Sequence, residues 1–228
     1  MFNVDSTNMS NNDLTTWGND VELHGFEGQT DKGLFFDGVD DYISFKSTED
    51  YSKGFTWSFY GRVYSGDRFF AKQLSDSTNY SCRFGLIKNQ IIFNTSKKLA
   101  NSTWSYSQDI GNNGNLVCKC NYNLGDITYI DITFDPQKNQ FSAYQDGKLL
   151  DTTTTEHDYW HGVDGGKQIL EDNRIDCYLG RFFGGVGEWT YVKLDIYSMR
   201  LYNRELNESE IKSNYEKTVT FHNLENEL

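Results

Sequence analysis

The chain has 228 residues, a formal charge of −12 at pH 7, 16% aromatic residues, 20 glycines and a single proline. That length can bury a full core within one domain. The charge excludes a nucleic-acid backbone or an anionic membrane as the natural partner, because each calls for a positive field, and leaves neutral glycans, cations and basic proteins.

In chain order, residues 1–12 are rich in Asn, Ser and Asp and read as a flexible lead-in. They carry neither a basic start nor an apolar run, so they do not read as a secretory signal. Nothing further on reaches the roughly 18 to 20 apolar residues of a membrane span, so direct membrane insertion is not expected. Residues 33–45 then predict strand, tight acidic turn and strand, with Ile43 and Phe45 facing one way and Tyr42 and Ser44 the other. Residues 54–63 give the clearest central strand. Phe55, Trp57 and Phe59 form an apolar row, and the opposite row of Thr56, Ser58 and Tyr60 is uncharged, as in a sheet covered on both faces.

Candidate strands follow at 68–72, 80–87 and 90–93, the last two joined at Lys88-Asn89. Residues 94–124 are the least legible, with Trp104 and Tyr106 isolated among polar neighbours. The strand pattern resumes at 127–134. Asp146-Gly147 between 141–144 and 148–150 is the strongest hairpin signal, since Asp-Gly readily adopts the positive φ pair of a type I′ turn. A long polar loop over 151–170 carries His157, Asp158, Tyr159, Trp160 and His161, and a loop of that size ordinarily has a binding role or is mobile. Strands at 177–179 and 191–202 close the sheets. The glycines at 180, 184, 185 and 187 around Arg181, Phe182 and Phe183 read as a loop of tight turns.

A short helix over about 208–217 carries complete start signals. Asn207 caps it, Glu210 completes a capping box, Leu206 staples against Ile211, and Ile211 and Tyr215 share a face. That stripe is too narrow for a freestanding helix, so it packs on the sandwich. Residues 13–221 form one expected β-sandwich domain, and 222–228 a frayed tail.

Cys82, Cys118, Cys120 and Cys177 lack the Cys-x-x-Cys spacing of zinc or redox pairs, leaving free thiols as the plain reading and one or two disulfides as the alternative. No catalytic constellation stands out, and an enzyme is not expected. There is no Gly-x-Ser-x-Gly elbow, and Asp126 and Asp131, five apart, point to opposite faces of a strand. A polysaccharide hydrolase needs two carboxyl groups about 5 to 5.5 Å apart, or farther for inversion. His157 and His161 read as ordinary surface histidines.

Four segments resemble the laminin-G-like, concanavalin-A-like jelly-roll superfamily, in the variety found in phage structural and bacterial surface proteins. They are the Phe-Asp-Gly-Val-Asp-Asp-Tyr run at 36–42, Phe-Thr-Trp-Ser-Phe-Tyr at 55–60, Tyr-Gln-Asp-Gly-Lys-Leu at 144–149, and the closing run at 196–206. With the helix they span residues 20–218. The resemblance implies an all-β fold, a two-sheet antiparallel jelly-roll sandwich with a short C-terminal helix. It also implies a location on a virion or cell surface, and frequent sugar or calcium binding; it does not by itself imply an activity.

Sugar recognition calls for flat aromatic faces beside amides or carboxylates. The candidates are Tyr159 and Trp160 with Asp158, Trp104 and Tyr106 with Gln108, and Phe182, Phe183 and Trp189 with Glu188. Asp37, Asp40 and Asp41 are the candidate calcium ligands, although no cofactor is required. The function expected is a non-catalytic module binding a glycan or host-surface receptor. A structural or oligomerising module, partnered by its own copies or by other virion or surface proteins, is the alternative, and a hydrolase the least favoured.

Overall fold

The computed structural model describes residues 2–5, 21–26, 33–47, 49–73, 80–87, 89–97, 115–154, 171–172, 175–183 and 188–225. Sixteen strands and one long helix lie among them. The strands are Phe2–Asp5 (β1), Val21–His24 (β2), Leu34–Asp37 (β3), Tyr42–Lys46 (β4), Phe55–Ser65 (β5), Phe70–Gln73 (β6), Tyr80–Ile87 (β7) and Gln90–Lys97 (β8). They continue with Asn115–Lys119 (β9), Thr128–Asp135 (β10), Gln140–Gln145 (β11), Lys148–Thr154 (β12), Asp176–Leu179 (β13), Arg181–Phe183 (β14), Trp189–Tyr191 (β15) and Lys193–Tyr202 (β16). The helix is Glu208–Glu225 (α1).

Two seven-stranded antiparallel sheets result, as the alternating pattern predicts. The first runs β1-β16-β5-β10-β11-β12 with β3 also on β16, the second β2-β4-β13-β6-β7-β8-β9, and β14 and β15 form a separate hairpin. The inward rows of both sheets share one core. Trp57 of the first sheet meets Phe70 at 4.6 Å and Phe93 at 5.4 Å from the second, both edge to face, and Phe59 stacks on Phe69 at 4.2 Å.

The outward row of the first sheet is also covered. Thr56, Ser58, Asp131 and Thr133 are buried although they face away from the shared core, because α1 and its lead-in lie over them. The Thr56 hydroxyl donates to the Arg204 carbonyl and accepts from the Leu206 N–H. Arg200 donates to Thr218, Asn214 donates to the Tyr202 hydroxyl, and Tyr215 meets Tyr129 edge to face.

The helix start forms as its sequence predicts. Glu210 N–H donates to Asn207 Oδ1, Asn207 N–H donates to Glu210 Oε2, both at 3.0 Å, and Leu206 and Ile211 share a small apolar cluster with Tyr144. The Asp146-Gly147 turn has φ of 52° and 72°, the type I′ pair.

Three expectations need correction. Phe2–Asp5, read as part of a flexible lead-in, pairs with Ser198–Leu201 of β16, completing the edge that β3 occupies at Lys193–Ile196 and so satisfying its backbone groups. The helix extends to Glu225 instead of about 217, taking in part of the supposed frayed tail, because Thr218 and His222 continue the buried stripe and His222 packs against Tyr60 and Tyr197. Arg181–Phe183, read as loop, is a strand paired with Trp189–Tyr191. The strand, acidic turn and strand expected over 33–45 form as β3 and β4, and the turn carries the chain from one sheet to the other, since β3 pairs with β16 and β4 with β2 and β13. The four cysteines are free thiols. Among the described residues no helix is long and apolar enough to cross a membrane.

Candidate recognition site

The outward face of the second sheet carries the arrangement with most chemical potential. Alternation along β4 sends Ile43 and Phe45 into the core and Tyr42 and Ser44 outward, and the register sets His24 beside Tyr42 and Tyr178 beside Ser44. His24 stacks on Tyr42 with centroids 4.1 Å apart and planes 8° from parallel, and its Nε2 lies 2.9 Å from Ser44 Oγ. Burial depresses the His24 pKa, Glu22 opposes that, and Arg181 adds to it.

Arg181 comes from beyond the sheet. Gly180 has φ +83°, and a Cβ there would lie 2.4 Å from the Phe36 ring, so only glycine lets the chain turn there and lay β14 across β13. The hairpin is fastened from below by Arg83, whose Nη2 donates to the Phe183 carbonyl while its Nε donates to Gln73. Arg68 and Arg83 both approach the Phe182 ring at 5.7 Å.

The Arg181 guanidinium carbon thereby sits 3.3 Å from the Tyr42 centroid, 3.9 Å from Trp189 and 4.6 Å from Tyr178. Two rings cannot both stack that closely on one side of a planar group, so Tyr42 and Trp189 cover opposite faces of it. By the same reasoning His24 and Arg181 cover opposite faces of Tyr42. The outcome is a layered stack, His24, Tyr42, Arg181, Trp189, with Tyr178 and Phe183 meeting Trp189 edge to face at 5.0 and 5.5 Å. All four stacked side chains are half-buried. Among the described residues no carboxylate pairs with Arg181, and its Nε is buried without a hydrogen-bond partner. In a chain with 33 acidic and 21 basic residues, such a guanidinium is conspicuous.

The acidic turn borders this face. Asp37, Asp40 and Asp41 bring ligand oxygens within 4.8 Å of one another. Asp37 Oδ1 already accepts from Val39 N–H at 2.7 Å and Asp40 N–H at 3.3 Å, and Asp41 Oδ2 accepts from Asp37 N–H. The Val39 bond is the main cause of the lowered Asp37 pKa. Calcium takes about six to eight oxygens, so the turn supplies part of a shell, and its hydrogen bonds account for its shape without a cation.

Of the aromatic candidates read from sequence, Trp189 belongs to the stack and Phe183 touches it, whereas Phe182 is buried. Glu188 is exposed beside Trp189. Tyr159, Trp160, Asp158, Trp104, Tyr106 and Gln108 lie outside the described residues, as do His157 and His161. Sequence reasoning missed Arg181, His24 and Tyr178 as site residues; the outward Tyr42-x-Ser44 alternation and the candidate Trp189 were the signals that pointed to this face.

Asp131 has the buried, up-shifted carboxyl typical of catalytic acids, yet it does not form a hydrolytic site. Burial raises its pKa to about 7 against the lowering effect of Ser58 and Arg200. It is fully buried between the first sheet and α1, where no substrate reaches it.

No family model matches the chain, and no curated protein matches it in sequence. Solved structures do share its fold. The type C botulinum neurotoxin described as dependent on two ganglioside molecules for cell entry superposes with a TM-score of 0.63 at 13% identity, covering 96% of this chain and 51% of that one. The binding domain of botulinum neurotoxin DC gives 0.59 in its complex with rat synaptotagmin II and 0.61 in its complex with SialylT, each at 13% identity with the same coverage. The chain thus spans about half the length of these structures. At this identity the likeness establishes a shared all-β architecture and nothing finer.

Proposed function

We propose that this chain is a non-catalytic recognition module whose outward second-sheet face binds a glycan or surface receptor. The observation that carries the reading is the Arg181 guanidinium clamped between Tyr42 and Trp189 without a carboxylate partner among the described residues. Aromatic planes receive the apolar faces of sugars, and a fixed guanidinium supplies directional donors at their edge. The shared fold with binding domains described with ganglioside, SialylT and synaptotagmin supports the same class of partner.

The finer placement, a laminin-G-like module on a phage particle or bacterial surface, rests on the sequence resemblance. Tyr159, Trp160 and Asp158, with Trp104 and Tyr106, are proposed as further contacts, and Asp37, Asp40 and Asp41 as a calcium site that a calorimetric titration would test. The oligomerising alternative draws on one observation. Tyr64, Leu124 and Ile127 are exposed where the end of β5 meets the start of β10, and Leu124 is 56% accessible.

A glycan array followed by calorimetry tests the recognition reading. Trp189→Ala should weaken the bound glycan by about tenfold, equivalent to about 1.4 kcal/mol, with an unchanged far-ultraviolet spectrum. Loss on Trp160→Ala alone would move the site to the 151–170 loop. A stable oligomer in solution that binds no array member would favour assembly.

A further inference from the structure

The geometry points to a single oxyanion on the ligand, a carboxylated sugar on an otherwise neutral glycan, seated on the terminal N–H edge of Arg181. This rests on the recognition reading above and specifies its substrate class. With Tyr42 and Trp189 on its two faces and Nε buried without a partner, the half-buried guanidinium is left its terminal Nη groups, which also meet the Tyr178 hydroxyl, as the donors a ligand could reach. That edge is a planar pair of donors matched to a carboxylate, and its aromatic clamp removes the freedom that an unclamped arginine loses on binding. Three other described guanidinium groups have polar side-chain or carbonyl partners: Arg68 pairs with Asp67 at 2.7 Å, Arg204 with Glu210 at 2.7 Å, and Arg83 donates to Gln73 and the Phe183 carbonyl.

A polyanion is a poor candidate for the same edge. The net charge of −12 repels an extended negative chain, whereas one carboxylate against one clamped guanidinium acts within a Debye length of about 8 Å. The structure therefore distinguishes a monoanionic sugar from a heparin-like polymer.

The test measures the intact chain against matched pairs: a glucuronate-terminated oligosaccharide with its glucose-terminated counterpart, and a sialylated oligosaccharide with its asialo form. Heparin serves as the polyanion. The expected result is at least about tenfold tighter binding of one carboxylated member than of its neutral twin, with heparin bound no better than the neutral sugars. Which pair responds identifies the source of the carboxylate. Arg181→Gln should erase the preference, so that the carboxylated member binds no better than its neutral twin whatever the level of either, and Arg181→Lys should restore little, because an ammonium has no planar fork. In the unmodified protein, the Arg181 Nε–H resonance should shift on titration with the preferred sugar, a readout independent of how the variants fold.

Equal binding within both pairs, a preference that survives Arg181→Gln, or heparin binding above the carboxylated sugars would each overturn the inference while leaving glycan recognition standing. Binding to no glycan of either kind would instead overturn recognition itself.

Discussion

At the level of single residues, Asp131 sets a pH dependence of stability. Its pKa is raised from 3.8 to about 7 by burial, so the folded state holds a proton that the unfolded chain gives up near pH 4. The stabilisation linked to that proton is complete below about pH 4 and is lost progressively as pH rises through about 7. Asp131→Asn keeps an acceptor for the Ser58 hydroxyl and removes the titration. Urea midpoints should therefore fall between pH 5 and pH 8 in the parent protein and change much less in the variant; an equal fall in both would assign the effect elsewhere. Glu210 works in the opposite sense. Arg204 and the Asn207 N–H hold it down to about 2, so its contribution is present above about pH 4.5 and disappears only as pH drops through 2.

The thiols follow the same logic of burial. Cys82 and Cys177 both pair with Lys72, one on each side, which places their Cα atoms two strand spacings or about 9.6 Å apart, beyond disulfide reach. Desolvation raises both pKa values, that of Cys177 to about 11. Cys118 is the only one of the four that is half-exposed. Mass-resolved alkylation of the native protein should label Cys118 first and leave Cys82 and Cys177 unmodified until urea unfolds the chain; early labelling of Cys177 would show that the second sheet opens locally.

Among the elements, α1 separates what local sequence encodes from what it does not. The Asn207/Glu210 box and the Leu206 staple lie within five residues, so short-range chemistry predicted them and the structure has them. The helix's far end was not legible. Its buried stripe continues through Thr218 and His222, polar residues whose burial depends on Arg200, Tyr60 and Tyr197, up to 162 positions earlier in the chain. The candidate site divides the same way. Alternation fixed which side chains of β4 point outward, but Arg181 reaches Tyr42 only because β14 folds back over β13, a tertiary fact that a glycine-rich sequence reads as loop. Asn207→Ala should cost about 1 kcal/mol in chemical denaturation, the usual value of a lost N-cap. Because α1 covers Ser58, Asp131 and Thr133, hydrogen exchange in the variant should rise at outward positions of β5 and β10 as well as in the first helical turn; exchange confined to that turn would show that the cover does not depend on its cap.

For the whole molecule, the shared aromatic core decides whether the two sheets unfold together. Trp57 contributes nothing to the surface and touches Phe70, Phe84 and Phe93 from the opposite sheet as well as Phe55 in its own strand. A residue that belongs equally to both layers cannot be lost by one alone. Trp57→Ala should cost about 3 to 5 kcal/mol, a large part of the 5 to 15 kcal/mol that ordinarily holds a domain folded. If the chain is a single cooperative unit, the variant should melt in one transition at lower temperature, with near- and far-ultraviolet signals coinciding in calorimetry and circular dichroism. Two separated transitions would mean that β6, β7 and β8 retain a core without Trp57. The outward stack would then sit on an independently folding layer, and the glycan binding proposed at Arg181 should survive past the first transition.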